Sequence, residues 1–177
     1  MIAPPRETSR ATSGRTLLAT VFSTEPSTLG TDIAVVSVRI ALVWIFIYYG
    51  AGKLFGAFNG PGIHRTSLYM ASTAHLHPGT LFAVLAGVIE FGGALALALG
   101  LASRLAALAL LGDQVVAMIT VTWSQGLAPS TSAGYQLNLA LAAMALVIVG
   151  LGAGRPSVDA IIGRRLRASS DTEPPSR

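Results

Sequence analysis

Four long apolar runs, separated by short polar connections, dominate the chain: residues 33–58, 80–102, 105–123 and 135–153. The first carries Arg39 near its start and Lys53 near its end. The second holds one charge, Glu90, the third one, Asp113, and the fourth none. Each reaches or approaches the roughly 20 mostly apolar residues that a helix needs to cross a bilayer. A soluble bundle would keep a polar stripe along each helix, and these runs have none. The pattern predicts an all-α integral membrane four-helix bundle over residues 33–154.

The connections refine this. Residues 59–79 form the longest, with Gly and Pro breaking the chain at both ends and a middle, 63–70, suited to a short interfacial turn. Only Ser103-Arg104 separates the second run from the third, so those helices are expected to be antiparallel neighbours. Residues 124–134 make a small polar loop around Pro129. Residues 1–32 read as a polar, disordered and uncleaved tail, since its one apolar run, 17–22, is too short for a signal-peptide core. In the basic tail, 155–177, Pro156 can start a helix. There Val158, Ile161, Ile162 and Leu166 share a face beside Arg164, Arg165 and Arg167. Two readings stay open: an amphipathic segment on an anionic membrane surface, or a positively charged flank.

Composition agrees. Of the 177 residues, 52% are hydrophobic and 11% charged, against roughly 25% charged in soluble domains. This excludes a soluble enzyme, a disordered chain and a nucleic-acid-binding module. The net charge of +4 arises mainly in the tails, where a membrane protein places its bases. Arg6, Arg10, Arg15, Arg39, Arg104 and the five bases after Gly154 make ten of the twelve. Lys53 and Arg65 alone flank the first loop. Both termini are therefore expected in the cytoplasm and the first loop outside, in a multi-pass protein of the plasma (inner) membrane. The chain has no Cys, which excludes disulfides, thiolate redox chemistry, Cys-ligated iron–sulfur clusters and covalently attached haem.

The charges within the runs are the candidate chemistry. Ionisable groups at mid-bilayer are expensive and are functional by default. Glu90 shares a helical face with Ala83, Ala86, Gly93 and Ala94, and Asp113 with Ala106, Ala109, Ala117 and Thr120. Lys53 lies with Tyr49, Gly50, Gly56 and Ala57, and Asn138 with Tyr135, Ala142 and Ala145. Small residues line close helix contacts in membranes, so these four faces are expected to meet. Glu90 and Asp113 fall near the bilayer centre and Lys53 roughly 10 Å outward of it. A polar pocket is expected in the outer half of the bundle, fringed by Tyr48, Tyr49, Phe55 and Tyr135. For Asn138 the reading as packing glue is the stronger one. His64, His75 and His77 all sit in the first loop without a nearby carboxylate, which reads as a solvated loop rather than a metal site.

The segment Arg39-Ile-Ala-Leu-Val-Trp-Ile-Phe-Ile-Tyr-Tyr-Gly-Ala-Gly-Lys-Leu-Phe-Gly56 resembles the DoxX/DoxD family of small four-helix membrane proteins. So does the run from Glu90-Phe-Gly-Gly to Ser103-Arg104, and Tyr135-Gln-Leu-Asn-Leu139 and Arg155-Pro-Ser-Val-Asp159 fit as well. DoxD is similar to a subunit of a thiosulfate:quinone oxidoreductase, which oxidises thiosulfate to tetrathionate and passes electrons to membrane quinone. Other members associate with oxidative-stress and sulfur-handling enzymes. The resemblance implies quinone as co-substrate, no covalently bound cofactor, and a second subunit or soluble redox enzyme as partner. It departs from the family pattern at Gln136, where a Glu is usual, which weakens a proton-relay role there.

Three functions compete. The first is a quinone-linked oxidoreductase subunit, with Glu90, Lys53 and Asp113 catalytic and Tyr49, Phe55, Tyr135, Asn138 and Arg104 binding substrate or quinone. The second is a non-enzymatic membrane anchor or assembly factor for a redox or oxidative-stress complex. A small transporter is the weakest, because no inverted repeat or broken span is visible. Membrane lipids are expected partners in all three, and a homo-oligomer is compatible with each.

Overall fold

The computed structural model describes residues 28–129, 134–155 and 157–162. By proximity the chain divides into residues 1–31 and 32–177, and the helical assembly belongs to the second unit. The expectations for the N-terminal tail before residue 28, and for Leu166 and the arginines around it, lie outside the described residues.

The described residues are helical throughout their regular elements, with no strand among them. Helix α1 is Thr28–Phe55, starting within the segment read as tail and stopping three residues before the predicted end. Gly56 stops it by taking a left-handed φ of 70°, a conformation that costs glycine little. Helix α2, Gly62–Ser72, is three turns long where the sequence suggested a brief turn. Helix α3 is Gly79–Leu99, ended by Gly100 at φ 66°. The Gly100 N–H donates to Leu97 O and the Leu101 N–H to Ala96 O, satisfying carbonyls that a helix end leaves open.

Helix α4, Ser103–Ala117, follows almost at once. It widens into a π turn at Met118–Thr122 and tightens into a 3₁₀ turn at Trp123–Gln125. Helix α5 is Gln136–Leu151. Helices α1 and α3, and α4 together with its two extensions, are long and apolar enough to cross a membrane. The fourth apolar helix has 16 residues, about 24 Å of rise, less than the roughly 30 Å hydrocarbon core.

These four pack around Val35, Leu42 and Phe46 of α1, Ala94 and Leu97 of α3, Ala107 and Leu110 of α4, and Leu141 and Ile148 of α5. Trp44, Ile40, Leu105 and Ile119 stay exposed, as suits side chains whose surroundings are acyl chains. At the expected cytoplasmic end the chain after α5 is tied down. Arg39 Nη1 donates to Ala153 O at 2.8 Å, and Arg155 pairs with Asp32 at 3.4 Å. The Asp159 carboxylate accepts the N–H groups of Ala102 and Ser103 at 2.8 and 2.9 Å, at the open N-terminus of α4.

Candidate functional site

Close backbone approach builds the site. A Cβ at Gly50 would fall 2.5 Å from the Phe91 nitrogen, so α1 and α3 touch where α1 has no side chain. Lys53 lies three residues on from Gly50 and Glu90 one residue before Phe91. Their side chains therefore meet, with Lys53 Nζ donating to Glu90 Oε1 at 2.6 Å. The face of α3 that carries Glu90 is packed as its small residues predict: Ala83 and Ala94 are fully buried and Ala86 nearly so, and Glu90 is 3% exposed. Its second oxygen, Oε2, is buried with no hydrogen-bond partner.

Asp113 stands close enough to act electrostatically on both Lys53 and Glu90. Its face, however, is not the one that packs. The buried face of α4 is Ser103, Ala107, Leu110 and Gln114, offset by one residue, or about 100°, from the face expected. Gln114 is thus the inward polar group. Its Nε2 donates to Asp113 Oδ2 at 3.0 Å, and its Oε1 accepts from Asn138 Nδ2 at 3.0 Å. The Thr122 hydroxyl, carried on the π turn, donates to Asn138 Oδ1 at 3.3 Å. A polar chain therefore runs from Lys53 and Glu90 past Asp113 and Gln114 to Asn138 and Thr122.

Lys53 and Asp113 are the two charged residues lining a cavity of about 270 Å³. Its walls are Phe82, Leu85, Ala86 and Ile89 from α3 and a stripe from Leu108 of α4 to Val121 of the π turn, together with Met70 of α2 and Leu76. Glu90 is not on the wall; it stands behind Lys53.

The other sequence candidates are elsewhere. Asn138 joins the polar chain without lining the cavity. Tyr49 and Phe55 are 42% and 69% exposed, and Phe55 packs edge-on against Phe91. Tyr135 stacks on Trp123. The cavity lining is mostly Leu, Ala, Val, Ile and Phe82, and Tyr48, Tyr49, Phe55 and Tyr135 are not among it. Arg104 lies nine residues, roughly 13 Å of helix, from Asp113. Its guanidinium sits beside Gly152, at the far end of the bundle. No group of three His, Cys, Asp or Glu able to hold a metal occurs among the described residues.

A family model described as DoxX matches residues 34–123, just over half the chain, including Lys53, Glu90, Asp113 and Gln114. No curated protein and no solved structure matches.

Proposed function

We propose that this chain, which belongs to the DoxX family, is the membrane subunit of a quinone-linked redox complex and receives the quinone head at Lys53 and Asp113. One observation carries the reading: a cavity with almost wholly apolar walls carries one cation and one acid among them. Such walls favour a lipid-soluble molecule over a hydrated ion. Within the cavity, a Lys53 N–H suits a quinone carbonyl, and the Asp113 carboxyl suits the hydroxyl of the quinol.

Reduction of a quinone adds two electrons and two protons, one proton to each oxygen. In this reading Lys53 and Asp113 deliver protons to the head. Glu90, bonded to Lys53, fixes where the ammonium points. The electrons come from a second subunit or a soluble redox enzyme, with a sulfur compound such as thiosulfate as candidate donor. Both termini in the cytoplasm and a plasma-membrane location belong to the same reading.

The test is quinone titration of the purified protein in lipid nanodiscs. Binding that weakens at least tenfold in Lys53→Met and in Asp113→Asn supports the reading. Absence of quinone binding, with a stoichiometric redox protein co-purifying, would instead make the chain an anchor.

A further inference from the structure

We infer that the ligand enters this cavity sideways from the lipid, lays its hydrocarbon tail in the gap between α3 and α4, and is admitted or refused by the space at Gly112. The inference rests on the quinone reading and adds the route and the tail-binding surface. Leu85, Leu108 and Val116 all line the cavity, yet they are 48%, 52% and 48% exposed. The same side chains thus form the cavity wall and the outer face of the spans, so the opening faces acyl chains rather than water. The cavity's two charged residues, Lys53 and Asp113, are only partly exposed.

The wall from Leu108 of α4 to Val121 of the π turn extends roughly 20 Å along the helix, far more than a single quinone ring fills. Ala109, Gly112 and Val116 stand on one face of α4, at spacings of three and four. A Cβ at Gly112 would meet nothing within 4 Å. The position is therefore open and packs against no other element. A Cβ there meets no protein atom, and a larger side chain would add bulk at the cavity wall. An amphiphile with a redox-active head and a long apolar tail matches the two charged groups and the long apolar wall of this cavity.

The experiment compares two probes, a head-only benzoquinone and the same head with a decyl tail, on wild type, Gly112→Trp and Gly92→Trp in nanodiscs. Gly92 also has open space beyond its Cβ but does not line the cavity, so it controls for an added indole in a span. The wild type should bind the decyl probe at least tenfold more tightly than the head-only probe. Gly112→Trp should abolish that advantage and leave head-only binding within twofold, and Gly92→Trp should change neither. Ala109→Trp, on the same wall, gives a second plug if Gly112→Trp does not fold. Unchanged decyl affinity in the plugged variants, or equal loss of both probes, overturns the tail route. If head-only binding still depends on Lys53 in that case, the quinone reading survives. No binding of either probe to wild type overturns both.

Discussion

At the scale of single residues, the arrangement turns on one short ion pair. A charge at mid-bilayer costs several kcal/mol on its own, and Glu90 is 3% exposed. Lys53 offsets that cost at 2.6 Å, with its own side chain still 24% exposed. Lys53→Met should lower stability by about 3 kcal/mol, because it strands a buried carboxylate, and Glu90→Gln by less, because the ammonium it strands is partly exposed. The double variant should lose clearly less than the sum, measured by thermal unfolding in detergent. Additive losses would mean that the pair is not energetically joined. The pair was foreseeable, since both residues stand out as charges on small-residue faces. Gln114 was not, because charge drew attention to Asp113 one position earlier. Its signal was nonetheless present: Ser103, Ala107, Leu110 and Gln114 recur at steps of four, three and four, the spacing of a packed helix face.

At the scale of elements, helix ends carry most of the departures from the sequence reading. The C-terminal segment, read as surface-lying or as a plain flank, is held at the α3–α4 turn by Asp159. The Asp159 N–H donates to Gly100 O at 2.9 Å, and its carboxylate holds two N–H groups at the start of α4. Val158, Ile161 and Ile162 remain exposed, so the apolar face survives beside that anchor. Partial burial pushes the Asp159 carboxyl up, but the backbone N–H groups of Ser103 and Ala102 pull it further down, to a net position below its ordinary 3.8. A carboxyl lowered on folding adds stability above its unfolded value, and that stability is lost as pH falls through the folded one. Asp159→Asn should therefore cost about 1 kcal/mol at neutral pH. The gap between variant and wild type should close as pH drops below 3.8, read from paired melting curves. A gap independent of pH would show that the contacts, not the charge, hold the segment.

At the scale of the whole molecule, the placement of bases predicts the sidedness of the bundle. Ten of twelve lie in the tails, in the first half of α1 or at the α3–α4 turn, and positive flanks stay in the cytoplasm. Cys introduced at Ser67, in α2, should react with a membrane-impermeant thiol reagent in intact cells. Cys at Ser169 should react only after permeabilisation. The reverse pattern would invert the bundle and move the cavity to the inner half of the bilayer.

The sequence by itself determined the all-helical class, the apolar segments and the Glu90 face of α3. These depend on local properties: hydropathy summed over a window, glycine as a stop, and small residues at helical spacing. Only the tertiary structure decided which groups face the cavity, and the reason is geometric. One residue along a helix turns a side chain by about 100°, so Asp113 lines a wall while Gln114 packs inward. The point where Gly50 lets α1 touch α3 sets Lys53 on Glu90 rather than in the interface, and no pattern within a single helix encodes that crossing. The same holds for Arg104, whose charge looked useful in sequence but whose helix carries it to the opposite end. Asp159 likewise reaches the start of α4 because α5 returns the chain to that end, across 56 residues of sequence.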